Sequence, residues 1–367
     1  MAPAAVWADP SLPSLGDDPC LAEPGPGWRS ISGRLDNDFF AGTDNNYSHG
    51  LALALISHDI GGTRRPRCLP GPLNLYTRLL GRLDPGFWSD NGNDSATQNL
   101  VVRVGQSIYT PEDKESTELV ADDRPYAGLL YLGAAWNRRL HRPESGYEML
   151  DVRDVTLGLI GPWSLAERTQ NLIHRIGALE SFQGWSHQVQ NEPAIQFTLE
   201  RKFKPYFPAA YKPGWGSDVI GTYTVRVGNI ETAVGGGVEL RSGWNLPNDF
   251  GSHPIRPGAE NRPPRAAAGQ FRRTSTDRPQ AAGVNAFVNL EAKAVAWNFS
   301  LDGNLFRDSH HVTRRPWVTQ ASAGISGQWT LAGHDFRLAL MRVWRSREFE
   351  EQPGHHAFGS IALSMDF

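Results

Sequence analysis

Along much of the chain apolar and polar residues alternate one by one. Ile195, Phe197 and Leu199 interleave with Gln196, Thr198 and Glu200, and Tyr223, Val225 and Val227 with Thr222, Thr224 and Arg226. At the end, Ile361, Leu363, Met365 and Phe367 interleave with Ser360, Ala362, Ser364 and Asp366. Successive side chains of a strand point to opposite faces, so each segment predicts a strand with one apolar and one small or polar face. The pattern predicts about twelve strands, over 28–38, 47–57, 99–110, 126–137, 150–160, 194–203, 218–228, 232–241, 284–299, 317–329, 336–344 and 356–367. Two all-β architectures use such strands. In a sandwich the apolar face is the core; in a transmembrane barrel it meets lipid and the polar face lines the lumen.

An even count is what a bacterial single-chain barrel requires. The terminal Phe367, in register with an apolar face, resembles the carboxyl-terminal aromatic signature of outer-membrane barrels. With a periplasmic amino terminus, parity puts 39–46, 111–125, 161–193, 300–316 and 346–355 outside the cell. The Pro- and Arg-rich insertions 59–98 and 242–280 then fall in the periplasm, longer than the short turns usual there. No internal repeat is visible.

Composition narrows the classes further. Hydrophobic residues make up 40% and mean hydropathy is -0.42, with no apolar run of the length a membrane-spanning helix needs. A strand-built membrane protein is untouched by that test. The 38 Gly, 26 Pro and 12 Trp suit many strands joined by loops. A net charge of -3 offers no basic field for a nucleic-acid backbone, so no nucleic-acid partner is expected. Residues 1–27 read as an amino-terminal extension and 28–367 as one domain. The start, MAPAAVWADP, lacks the charged and apolar regions of a signal peptide. Cys20 and Cys68 lack metal-ligand spacing; they are two thiols or, both on the periplasmic side, one bridge.

One segment breaks the strand rhythm. SLAERTQNLIHRIG, residues 164–177, has Ser164 and Glu167 spaced as a capping box and Gly177 as a stop, and predicts a helix of about three turns. Gln170 and His174 share one face with Glu167, and Leu165, Leu172 and Ile176 share another, predicted to pack. Glu180, just beyond, is placed to fold its carboxylate back on the imidazole and hold the tautomer that leaves the other nitrogen free as a base.

A second segment, DNDFFAGTDNNYSHG at 36–50, is dense in oxygen ligands. Alternation places Asp36 and Asp38 on the polar, lumenal face, with Ser48 across a hairpin on the small, polar face of the next strand. Asp44, Asn45 and Asn46 serve the bend. Carboxylate, amide and hydroxyl oxygens in one place suit a hard cation such as Ca2+.

Five stretches then resemble the outer-membrane lipid A 3'-O-deacylase family. They are NDFFAGTDNNYSHGL (37–51), GQSIYTPED (105–113), DRPYAGLLYLG (123–133), GLIGPWSLAERTQNLIHRIG (158–177) and QGWSHQVQNEP (183–193), in family order. The resemblance implies a twelve-stranded antiparallel outer-membrane barrel with one short helix in an extracellular loop. It also implies an exported monomer acting on lipid A of lipopolysaccharide among outer-membrane lipids. The implied activity is Ca2+-dependent hydrolysis of the ester that carries the 3'-linked acyloxyacyl group. The family's site residues match Asn37, Asp38, Ser48, Gln170, His174 and Glu180, with Ser48 in place of the more usual Thr. Lys114 is nearest to the family's basic residue, and Arg124 is a further candidate for phosphate contact.

In that mechanism His174 takes a proton from water attacking the ester carbonyl, and Ca2+ near Asp38 stabilises the oxyanion. A serine nucleophile at Ser48 lacks the G-x-S-x-G elbow. Two alternatives stand beside the deacylase: a passive pore or structural barrel, and an outer-membrane phospholipase.

Overall fold

The computed structural model describes residues 27–38, 46–61, 69, 71–88, 95–142, 146–177, 180–205, 211–251, 264 and 282–367. Cys20, Cys68, Asp44, Asn45 and nearly all of the 1–27 extension lie outside the described residues.

Twelve long strands form: β1 (Trp28–Asn37), β2 (Asn46–Ser57), β3 (Ser95–Thr110), β4 (Ala127–Arg142), β5 (Tyr147–Ile160) and β6 (Glu192–Pro205). They continue as β7 (Trp215–Gly228), β8 (Glu231–Trp244), β9 (Gly283–Asn298), β10 (Trp317–Leu331), β11 (His334–Arg345) and β12 (His356–Asp366). A two-residue strand, Ile60–Gly61, extends the sheet beside β3. Each long strand is antiparallel to its chain neighbours, and β1 also pairs with β12, from Ser30↔Asp366 to Asn37↔Gly359. That pairing closes the sheet and removes its edges. All twelve predicted strands are present, and the sandwich is ruled out.

Closure gives the alternation its meaning. Outward side chains such as Leu53, Val104, Leu132, Leu157, Val227 and Leu290 are 48–62% exposed, forming an apolar belt on the lipid side. Inward side chains are buried and largely polar, with apolar ones such as Phe287, Met341 and Val343 among them. Arg103 lies against Asp154 at 2.5 and 2.9 Å, Arg34 donates to Asp36 at 2.8 Å, and Glu231 receives both Arg226 and Lys293. Charges this far from water persist only when paired and hydrogen-bonded. The lumen is thus packed, leaving a cavity of about 100 Å³ bordered by Arg103, Asp154, Arg226 and Glu231.

At the end that carries the termini the lumen is stoppered. The chain leaving β8 turns inward, so that Phe250 is 1% exposed and sits against Ala54, Val101 and Val152. Asp249 accepts from Arg241 and, at 2.5 Å, from Arg337, while Lys202 donates to the Phe250 carbonyl at 3.0 Å. This segment belongs to the insertion expected simply to project into the periplasm.

Among the described residues two helices longer than a single turn lie against the wall, where one was predicted. α1 (Gly71–Leu83) lies in the 59–98 insertion, and its pattern was obscured by arginines and Gly81 among the leucines. α2 (Ala166–Gly177) is the predicted helix, preceded by a short turn, Gly161–Ser164. Ser164 Oγ accepts from the Ala166 amide at 3.4 Å and donates to the Gly161 carbonyl at 2.6 Å.

Candidate active site

α2 is oriented opposite to expectation. Gln170 and His174 are 2% and 4% exposed, whereas Leu172 and Ile176 are 53% and 78% exposed. Gln170 and His174 meet the barrel, while Leu172 and Ile176 look outward together with Glu167, Arg168 and Arg175. Beside a wall immersed in hydrocarbon, an outward leucine stripe is the favourable arrangement, because the surroundings are as apolar as a core.

The helix covers the outer surface of the wall near the rim opposite the termini. In β3, Val104 is outward and 48% exposed, yet Ile108 and Thr110 on the same face are wholly buried. Ile108 packs with Ala166, Tyr126, Phe182 and Trp185, and Gln106 Nε2 donates to the Ser164 carbonyl at 2.6 Å. The crevice between barrel and helix, outside the lumen, thus buries the polar Gln106, Gln170 and His174 beside an apolar cluster.

Ser48 is turned into this crevice by a local irregularity. The β2–β3 register shifts between Tyr47 and His49, a bulge that places two residues against one and re-aims the side chain between them. Ser48 Oγ then meets Thr110 Oγ1 on the outer face, correcting the lumenal placement that strict alternation predicts. Asn37 is the register partner of His49, so the two share a face, while the preceding Asp36 points inward and accepts from the Tyr47 hydroxyl at 3.2 Å. Asp38 follows immediately beyond the paired strand and is wholly buried.

His174 is held through its ring. Nδ1 donates to the backbone carbonyl of Glu180 at 2.5 Å, which leaves Nε2 as the basic nitrogen. The Glu180 side chain is exposed, so the carbonyl rather than the expected carboxylate orients the imidazole. β3 links α2 to Ser48, since its Gln106 donates to the Ser164 carbonyl before the helix and its Thr110 bonds Ser48. Gln170 Oε1 accepts from Trp185 Nε1 at 3.1 Å; its Nε2 is a buried donor with no acceptor among the described residues.

Lys114 joins the same group. Its Nζ lies 5.3 Å from the centre of the Phe182 ring, which also neighbours the His174 ring at 5.6 Å and the Tyr126 ring at 6.2 Å. Arg124 does not join it. That guanidinium is 1% exposed, donates to Glu348 at 3.0 Å and lies over the Tyr109 and Phe349 rings, so the expected phosphate contact gives way to an internal ion pair. Burial raises the Glu348 pKa, but Arg345 and Arg124 outweigh it and hold the carboxyl at about 2.

His49, Thr110, Phe182 and Trp185 are site neighbours that residue-type reasoning missed. His49, Thr110 and Trp185 lie inside recognised stretches, NNYSHGL, IYTPED and QGWSH, and that position was the available signal.

Among the described residues no group of three or more His, Cys, Asp or Glu side chains could hold a metal ion. The donors present fit Ca2+ in another way, since that ion accepts one carboxylate supplemented by neutral oxygens. Asp38, Asn37 and the Ser48–Thr110 hydroxyl pair are oxygen donors of that kind.

The family model for outer membrane protein LpxR matches residues 12–367. No curated protein sequence matches the chain. Among solved structures, LpxR from Salmonella typhimurium aligns with a TM-score of 0.62 at 18% identity, covering 92% of this chain and 100% of that one. The β domain of the Bordetella autotransporter BrkA aligns with a TM-score of 0.42 at 8% identity, covering 93% and 99%. With its recognised stretches spread through a match over nearly the whole length, the chain belongs to the LpxR outer membrane protein family.

Proposed function

We propose that the chain is a Ca2+-dependent carboxylic ester hydrolase, a lipid A 3'-O-deacylase, that removes the 3'-linked acyloxyacyl group from lipid A of lipopolysaccharide. One observation carries this: a basic imidazole nitrogen, fixed by its partner nitrogen, is enclosed against the lipid-facing side of a membrane barrel. An ester of a membrane lipid reaches such a crevice sideways from the leaflet, without entering the lumen.

His174 Nε2 takes the proton of a water as that water attacks the ester carbonyl, and later returns it to the leaving sugar oxygen. The Glu180 carbonyl keeps Nδ1–H in place as the ring becomes cationic. Gln170 Nε2 is a buried donor able to hydrogen-bond the developing oxyanion. Asp38, with Asn37 and Ser48, would hold Ca2+; when bound, the ion supplies positive charge to the same oxyanion. Lys114 is the cation for a lipid A phosphate. A closed barrel leaves no sheet edge to pair, which supports action as a monomer.

The test is mass spectrometry of lipid A and of phospholipid after incubation with the refolded protein, with chelator and with Ca2+ restored. Loss of one acyloxyacyl unit from lipid A alone, suppressed by chelator, is expected. Cleavage of phospholipid alone would identify a phospholipase. Cleavage of neither by folded protein with Ca2+ would overturn the hydrolase.

A further inference from the structure

α1 lies outside the barrel at the end that carries the termini, on the face that meets lipid. Its Leu80 packs with Phe87, Leu100 and Trp136, with Leu73, Tyr76 and Trp88 alongside. The attachment is also polar: the Tyr76 hydroxyl donates to the Arg153 carbonyl at 2.7 Å, and Asp84 pairs with Arg153 at 2.7 Å.

The height of this attachment follows from the strands. Leu100 and Trp136 are register partners, and Val104, on the same face of β3, belongs to the exposed apolar belt. At the strand rise the four intervening steps span about 13 Å. α1 is thus continuous with the belt and lies at its lower margin.

Its outward side carries two stripes. Leu75, Leu79 and Leu83 are 59%, 46% and 79% exposed and fall four apart, on one line along the helix. Arg78 and Arg82, also exposed and four apart, form the adjoining line. Leucines pointing away from the packed side are costly in water and favourable in acyl chains, and arginines beside them match the charge and height of lipid phosphates.

We propose that α1 is a membrane-interface anchor: Leu75, Leu79 and Leu83 enter the acyl region of the phospholipid leaflet at the terminal end of the barrel, and Arg78 and Arg82 engage its phosphates. The anchor is separate from the crevice under α2 and does not depend on the proposed hydrolysis.

The test uses the full chain folded into vesicles of phosphatidylethanolamine and phosphatidylglycerol. Cys20 and Cys68 are replaced by Ser, and Leu79→Cys carries an environment-sensitive fluorophore; Glu115→Cys, on the exposed loop after β3, serves as the aqueous reference. The label at 79 is expected to emit to the blue of the reference and to be quenched about twofold or more by chain-brominated lipid. Emission equal to the reference, with quenching by aqueous iodide, would overturn the proposal and leave the stripe for a soluble partner. Leu83→Cys repeats the measurement if the first variant does not fold. Arg78→Gln with Arg82→Gln is expected to remove any difference in quenching between these vesicles and neutral phosphatidylcholine vesicles; an unchanged difference would overturn the phosphate contact.

Discussion

His174 Nδ1 lies 2.5 Å from the backbone carbonyl oxygen of Glu180, and the Glu180 carboxylate is exposed. The support for the imidazole is therefore main chain, which side-chain substitution at 180 leaves in place. Glu180→Gln is expected to keep deacylation within a few-fold of wild type, whereas His174→Ala loses about 10²–10⁴ in kcat. Loss of equal size in both variants, measured by lipid A mass spectrometry, would return the carboxylate to a direct role.

Ser48 and Thr110 share a hydroxyl–hydroxyl bond on the outer face of the wall. Ser48→Thr keeps an oxygen there and is expected to retain activity. Ser48→Ala removes it, and the barrel should still fold, because one hydrogen bond contributes only about 1 kcal/mol. Activity unchanged in Ser48→Ala, with folding checked by circular dichroism, would remove the hydroxyl from the mechanism.

Leu172 and Ile176 look outward from the helix that encloses the crevice. If the ester arrives sideways from the leaflet, Leu172→Asp with Ile176→Asp should slow turnover of membrane-embedded lipid A. Turnover of detergent-dispersed substrate should change less. An equal loss in both assays would count against lateral entry.

Glu348 joins Arg124 and Arg345 near the rim opposite the termini, with its carboxyl at about 2 in the folded protein. An unfolded glutamate titrates near about 4.3, so the pair's stabilisation is present above that pH and is lost as pH falls towards the folded value. The wild-type urea midpoint should approach that of Glu348→Gln as the pH is lowered through this window. A constant gap between the two would contradict the coupling.

The stopper formed by Asp249 and Phe250 opposes the passive-pore alternative. Wild-type protein in planar bilayers should show no steady conductance. Asp249→Ala with Phe250→Ala releases both the ion pairs and the apolar contact, and should produce conductance steps. Open channels in the wild type would favour a pore.

Alternation was sufficient to locate all twelve strands, because a strand between lipid and a polar lumen must present two unlike faces at every second residue. The helix 164–177 was legible from its caps, and His174 and Gln170 from their shared spacing on it. Which face of that helix packs was not legible: a leucine stripe predicts burial in water and exposure in hydrocarbon, and only the closed wall shows which solvent it meets. Ser48 turns outward through a bulge that leaves no periodic signal, and Arg124 is committed to Glu348, 224 positions along the chain. α1 and the Asp249–Phe250 stopper come from insertions whose local patterns are weak and whose partners are distant strands. The sequence by itself determined the strands and the chemical groups available; the tertiary structure decided which side of the wall each group faces, since sidedness depends on register and closure between residues far apart in the chain.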